Sequence, residues 1–188
     1  MRFPIRLKIF GIAVGLLILM ATVVLLNLRM TRTVSEQLAI VDNNYFPAYV
    51  ALAQANIRSV EESAYARRLL LVIEGQDPTT NLDALRQAVA NSGKASDQDI
   101  ADARLYINRQ INDLLDFDDD IALARLDDQI AALQEERGHY KAMLTQMIAT
   151  AKAHNESQTA KLLGRLDKWR DDFDRKINAA RNEMRRLA

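Results

Sequence analysis

The chain has 188 residues, with 25 basic and 25 acidic side chains, six glycines, three prolines and no cysteine. Its net charge of zero argues against a general nucleic-acid binder, and the absence of cysteine excludes a disulfide framework, a thiolate metal site and a cysteine nucleophile. Few glycines, prolines and aromatic residues beside abundant alanine, leucine and arginine are typical of long helices packed together.

The first predicted element is an apolar segment, residues 9–28, which contains no charged side chain. At about 1.5 Å per residue, a helix of this length crosses a bilayer core of roughly 30 Å. The segment is longer than the apolar region of a signal peptide and ends without a small-residue cleavage site, so it predicts an uncleaved transmembrane helix. Three basic residues precede it and two follow. The positive-inside rule therefore predicts a cytoplasmic flank at residues 1–8 and an extracytoplasmic domain at residues 29–188.

A heptad seam of mostly apolar or small residues follows, from Val34 to Ile73. This seam predicts one helix from about residue 31 to residue 73, continuous with the membrane span. Pro47 lies inside it. Because proline removes one backbone hydrogen bond and clashes with the preceding turn, we expect a kink near residues 43–47 rather than a helix end.

Gly75 and Pro78 are typical of a helix end, and a second helical region is predicted from about residue 80 to residue 116. An Asn-Ser-Gly-Lys run at residues 91–94 interrupts this region, and Ser96 resembles a new N-cap. The region is therefore interpreted as either one helix or two.

The acidic run at residues 116–120 predicts a turn, because the heptad seams on its two sides are out of phase and aspartate favours helix N-termini. A helix that continues through it is the alternative. A third helix is predicted at residues 121–154 and a fourth at residues 158–188. Together these elements predict an all-α fold, in which an N-terminal transmembrane helix continues into an antiparallel up-down four-helix bundle.

No catalytic pattern is found in the sequence. His139 and His154 are fifteen residues apart and cannot form a local metal pair, and no HExxH, P-loop, GxSxG or GxGxxG pattern occurs. The acidic residues at 113–120 lack the spacing and the central glycine of an EF-hand, so we interpret them as a solvated turn. We expect no enzymatic activity, no cofactor and no metal site in this chain.

The anchor and bundle together resemble the four-helix-bundle sensor module of bacterial transmembrane receptors, which include chemoreceptors, sensor kinases and membrane nucleotide cyclases. The resemblance is clearest at residues 41–73, where Tyr45 and Pro47 precede a small and apolar seam with interspersed arginines. It implies a periplasmic sensor domain on the bacterial inner membrane, with a role in chemotaxis or related signal transduction. It also implies a parallel homodimer packed through the first helix of the module.

Arginine forks suit carboxylate recognition, and receptors of this kind that sense amino or organic acids hold the ligand carboxylate with arginines near the dimer interface. The resemblance therefore implies an anion site that includes Arg58, Arg67 and Arg68. Arg137 and Arg170 occupy seam positions on the third and fourth helices. The alternative is that these arginines pair with nearby glutamates or extend from the seam into solvent.

The expected homodimer interface consists of the seam residues of the first helix that allow close approach, which are Ala48, Leu52, Ala55, Ser59 and Ala66. The function expected from these features is a sensor module that passes a ligand- or partner-induced helix shift across the membrane. The alternative is a single-pass, membrane-anchored helical scaffold or adaptor without a small-molecule ligand.

Overall fold

The computed structural model describes residues 5–187 except 41–42, 44, 78 and 114–116, and omits the side chains of 5–13, 33, 36–40, 112–113 and 117–120. The described residues form five α-helices and no strand, which confirms the all-α class. The helices are α1 (Ile5–Ile40), α2 (Phe46–Ile73), α3 (Leu82–Asp113), α4 (Phe117–Lys152) and α5 (Glu156–Leu187). Two compact units divide the chain, one of residues 1–41 and one of residues 42–188.

The apolar segment forms most of α1. The stretch Val14–Arg32 is long and apolar enough to cross a membrane, with a mean hydropathy of 2.0, and none of it is buried within the chain. The two threonine hydroxyls in this stretch are satisfied locally: Thr22 donates to the carbonyl of Ile18 at 2.9 Å and Thr31 to that of Asn27 at 2.8 Å. An exposed apolar helix with internally paired polar groups is the form that a bilayer core accepts.

The helix predicted across residues 31–73 is described as α1, which ends at Ile40, and α2, which begins at Phe46. Its continuity depends on residues 41–42 and 44, which lie outside the described residues. Asn43 and Tyr45, between the two helices, are in π-helical conformation, and Pro47 occupies the first turn of α2. Proline and π-helical turns are both usual sites of helix kinks, and they lie where the kink was expected.

Helices α2 to α5 form an antiparallel four-helix bundle in which each helix contacts the next in chain order and α5 returns to α2. Between neighbouring helices, residue numbers rise along one helix as they fall along the other, as antiparallel packing requires. The successive contacts are Ala55 with Ser96 and Glu62 with Gly93, Arg104 with Asp127 and Asp97 with Arg137, Glu136 with Lys176 and Thr150 with Thr159, and Asn56 with Asp174 and Arg67 with Asp167.

The predicted seams form the core of the bundle. On α4 every seam residue is at most 5% exposed; these are Leu126, Ile130, Leu133, Arg137, Tyr140, Leu144, Met147 and Ala151. On α5 most of the seam is buried as well, including Phe173 and Ile177. The heptad spacing of these two helices therefore identified the buried faces correctly.

The seam of α2 is also buried within the single chain, and this corrects the expected dimer interface. Ala48, Leu52, Ala55, Ser59 and Ala66 are at most 3% exposed. A second copy could reach these side chains only if the bundle opened. The prediction failed because a heptad pattern shows that a face is buried but does not show which partner buries it.

α3 is continuous across residues 91–94, so the single helix is the correct one of the two alternatives. Ser96 is buried and donates from Oγ to the carbonyl of Ala55 at 3.0 Å, and it does not cap a helix. Gly93 lies against Glu62 of α2. The small and polar residues that resembled a turn are therefore the residues that bring α3 close to α2.

The helix boundaries near the acidic run also differ from the prediction. α4 begins at Phe117 instead of residue 121, and α5 begins at Glu156 instead of residue 158. The predicted turn falls partly on residues 114–116, which lie outside the described residues.

Two turns of the bundle end helices with a left-handed residue. Gly75 (φ 76°) ends α2 as predicted, and His154 (φ 54°) ends α4. The amides of Gln76 and Asn155 then reach back to carbonyls of the last helical turn at 2.9 and 3.0 Å, which is the Schellman pattern. Pro78, also expected to end the helix, lies outside the described residues.

Candidate functional site

Of the three arginines predicted to bind an anion, Arg67 and Arg68 share a groove and Arg58 does not line it. Arg58 is exposed, and its Nη1 donates to Glu61 at 3.1 Å on the same helix. Arg67 and Arg68 line a groove of about 620 Å³ together with Arg170 of α5. This arginine groove, lined by Val60, Ser63, Ala64, Arg67, Arg68, Leu71, Asp77 and Arg170, is the first candidate site.

The arginines of this groove pair with carboxylates that are partly or largely exposed. Arg67 pairs with Asp167 of α5, and the Nε of Arg68 lies 3.6 Å from Asp77. Arg170 pairs with Asp171, which is 73% exposed. Exposed ion pairs contribute little to stability, about 0–1 kcal/mol each, so an incoming anion can replace these carboxylates. With three arginines and one acid in its lining, the groove suits an anion.

A second heptad stripe runs along the outer face of α2 and was missed at the sequence level. Steps of four and three residues from Phe46 define this outer stripe: Phe46, Val50, Ala53, Ile57, Val60, Ala64, Arg67 and Leu71. Phe46 and Ile57 are 60% and 58% exposed, and no residue of the stripe is buried. Its signal in the sequence was a second apolar periodicity, displaced by one or two residues from the stronger core seam.

The outer stripe and the arginine groove overlap in the later half of α2. Val60, Ala64, Arg67 and Leu71 belong to both. Exposed contiguous apolar surface on a soluble bundle marks an interaction face. The same face therefore carries both the apolar contact surface and the cationic groove.

The most buried charged group in the bundle is Arg137, whose side chain is 2% exposed. Its Nη1 donates to Glu62 at 2.7 Å, its Nε donates to Asp97 at 2.9 Å, and its Nη2 donates to the carbonyl of Gly93 at 3.0 Å. Asp97 also pairs with Lys141. These residues, from α2, α3 and α4, form a buried ion cluster. The alternative interpretation of Arg137, pairing with a nearby glutamate, is confirmed.

Aromatic rings close the other side of this cluster. The Arg137 guanidinium carbon lies 5.2 Å from the ring centroid of Tyr140 and 5.9 Å from that of Trp169. Trp169 stacks in turn on Phe173, with 4.6 Å between ring centroids. Cation–π contacts stabilise a desolvated guanidinium, so these aromatic residues serve the bundle core.

Burial perturbs the titration of this cluster. Loss of solvent raises the pKa of the Glu62 carboxyl above its ordinary value, against the opposing effect of Arg137. Burial acts to lower the pKa of Arg137, but the charges and hydrogen bonds of Glu62 and Asp97 together outweigh burial, so the pKa is raised. Burial raises the pKa of the Tyr140 hydroxyl as well. The guanidinium therefore stays charged, and Glu62 is the member that protonates most readily.

Among the described residues, no group of three or more histidine, aspartate or glutamate side chains is placed to hold a metal ion. The acidic residues at 113–120, interpreted as a solvated turn, have no described side chains. His139 lies on α4 and His154 directly after it, so the two histidines are about four helical turns apart.

No family model, no curated protein and no solved structure matches this chain. The resemblance to receptor sensor modules therefore stays a prediction from the sequence pattern. The side chains of the arginine groove, the outer stripe and the buried ion cluster are the remaining guides to function.

Proposed function

We propose that this chain is the periplasmic sensor module of a bacterial inner-membrane signalling receptor, and that it binds a small organic anion in the arginine groove. The observation that supports this most directly is the convergence of Arg67, Arg68 and Arg170 on one groove between α2 and α5. The apolar, unburied helix Val14–Arg32 provides the membrane anchor. Chemotaxis or a related signalling pathway is the expected context.

In this proposal, the bound anion acts on the contact between α2 and α5. Arg67 of α2 pairs with Asp167 of α5, and Arg170 also belongs to α5. An anion that bridges Arg67 and Arg170 competes with the Asp167 carboxylate that now joins the two helices. Packed helices respond to such changes by small sliding movements, provided that the ligand binds the two arrangements with different affinity.

We also propose that the receptor is a parallel homodimer and that the outer stripe is its interface. Two copies anchored by the same N-terminal helix have their bundles in the same direction, so each stripe residue meets its own counterpart. The stripe has the four-three spacing that parallel coiled coils use. Arg67 would then face the Arg67 of the second copy, and a bound anion would relieve the repulsion between them.

The experiment that tests the anion site is titration calorimetry on the full chain in detergent, with a panel of amino and organic acids. We expect the substitutions Arg67→Ala and Arg68→Ala each to weaken binding by about tenfold or more, because each removes a charge-assisted hydrogen bond. Arg58→Ala is the matched control, since Arg58 lies on the same helix and does not line the groove. Equal losses in all three variants, or none, would overturn the assignment.

The alternative function, a membrane-anchored scaffold without a small-molecule ligand, is favoured by the outer stripe itself. That stripe suffices for self-association without any ligand. Absence of binding by every acid in the panel, together with crosslinking along the stripe, would support the scaffold.

A further inference from the structure

A cavity of about 420 Å³ lies between α2, α3 and α4. It shares no lining residue with the arginine groove, which lies between α2 and α5. Its volume falls within the range of roughly 300–1,000 Å³ that is usual for sites of small organic molecules. The cavity is therefore large enough for a ligand and separate from the site already described.

One wall of this cavity is apolar and is contributed by all three helices. Leu69 comes from α2, Val89 from α3, and Leu144 and Ile148 from α4. Leu69, Val89 and Leu144 are also members of a hydrophobic core cluster of the bundle. These side chains are held in place by core packing, so the wall is preformed for an apolar group.

The opposite wall carries charges of both signs, but its acids are already engaged. Glu62 accepts from Arg137, and Asp97 accepts from Arg137 and Lys141. Lys94, in contrast, is exposed and has no ion pair among the described residues.

Arg86 is a second cation that lines the cavity, and its ion pair is weak. Arg86 pairs with Asp83, whose side chain is 88% exposed. Glu62 and Asp97 are paired with cations, whereas, within the described part of the chain, Lys94 is unpaired and Arg86 is weakly paired. The lining of the cavity therefore favours an anionic group. Arg86, Lys94 and the apolar wall line the same cavity.

We infer that this cavity is a second ligand site, which takes a small organic carboxylate with an apolar body. The carboxylate would lie between Lys94 and Arg86, and the apolar body would pack on Val89, Leu144 and Ile148. The ligand would contact α3 and α4 at once, beside the buried ion cluster. This inference is independent of whether the arginine groove binds an anion.

The test is titration calorimetry on the full chain in detergent, with 3-phenylpropionate as the probe. The uncharged amide of the probe tests whether binding needs the carboxylate, and acetate tests whether binding needs the apolar body. We expect the probe to bind, and the amide and acetate each to bind about tenfold more weakly or worse. Equal binding of probe and amide, equal binding of probe and acetate, or no binding of the probe would overturn the inference.

Two variants locate the site. We expect Lys94→Gln to weaken binding of the probe by about tenfold, and Ala90→Phe to abolish it by filling the mouth. Ala90 and Lys94 are both exposed, so neither change requires the core to repack, and a thermal melt checks that each variant is folded.

A control completes the design. Lys161→Gln removes an exposed lysine of α5 that lines neither the cavity nor the arginine groove, and it should leave binding of the probe unchanged. A loss in this control as large as in Lys94→Gln, or full binding in Lys94→Gln, would exclude the cavity as the site.

Discussion

Gly93 of α3 lies so close to Glu62 of α2 that no other residue fits at position 93 without moving it. A Cβ placed on Gly93 would lie 2.5 Å from Oε1 of Glu62 and 3.0 Å from its Cδ. Glu62 cannot swing away freely, because Arg137 donates to its carboxylate at 2.7 Å inside the bundle. This contact explains why a glycine is found in the middle of a long helix, where glycine is unfavourable by about 1 kcal/mol relative to alanine.

The first prediction is that Gly93→Ala lowers the free energy of unfolding by about 1–3 kcal/mol, because the displaced carboxylate weakens its contact with Arg137. Gly164→Ala is the matched control. Gly164 lies inside α5 with nothing within 4 Å of an added Cβ, so alanine there should stabilise the chain by up to about 1 kcal/mol. Urea unfolding in detergent, followed by circular dichroism, measures both. Equal effects of the two substitutions would contradict the prediction.

The second prediction concerns the charge of Arg137. Arg137→Met leaves the Glu62 carboxylate buried without its partner, and we expect a loss of about 3–5 kcal/mol in unfolding free energy. The double variant Arg137→Met, Glu62→Leu removes both charges and should lose clearly less than the single variant. The same urea titration compares them. A double variant as unstable as the single one would show that packing, and not the stranded charge, sets the loss.

The third prediction is a pH dependence that comes from Glu62, which faces Arg137, Asp97 and Lys141. Burial raises the pKa of Glu62 above its ordinary value of 4.5, so the folded state binds more protons than the unfolded state above that pH. The stabilising contribution of Glu62 is therefore largest below pH 4.5 and falls as the pH rises through the folded-state pKa.

Relative to Glu62→Gln, the natural chain should gain stability as the pH falls from about 7 towards that value, by up to about 1.4 kcal/mol per pH unit. Urea unfolding of both chains across this pH range measures the difference. A difference that is constant with pH, or one that changes in the opposite direction, would contradict the prediction.

The fourth prediction is that cysteine placed on the outer stripe crosslinks two copies. The chain contains no cysteine of its own, so each variant carries one thiol. Ile57→Cys and Ala64→Cys should each form a disulfide with their counterparts when membranes are oxidised, because parallel stripes meet in register. Ala55→Cys, whose side chain is 0% exposed in the core, is the negative control. Crosslinking at position 55 but not at 57 and 64 would contradict the prediction and indicate that the core seam of α2 is the dimer interface.

Helix spacing and capping were readable from the sequence because they depend on neighbouring residues. The apolar period of α4 from Leu126 to Ala151 identified its buried face, and Gly75 marked the end of α2. The apolar segment of α1 was likewise evident from composition alone. For the candidate site, the resemblance selected Arg67 and Arg68, which lie one after the other on α2.

Other features depended on residues that are distant in sequence, and only the tertiary structure decided them. Gly93 and Ser96 resembled a helix break until α2 was packed against them, and Arg170 joined the arginine groove only because α5 lies beside α2. The core seam of α2 could have faced a second copy equally well. A heptad pattern records that apolar side chains avoid water, and this free energy is nearly the same whether the partner helix belongs to the same chain or to another one.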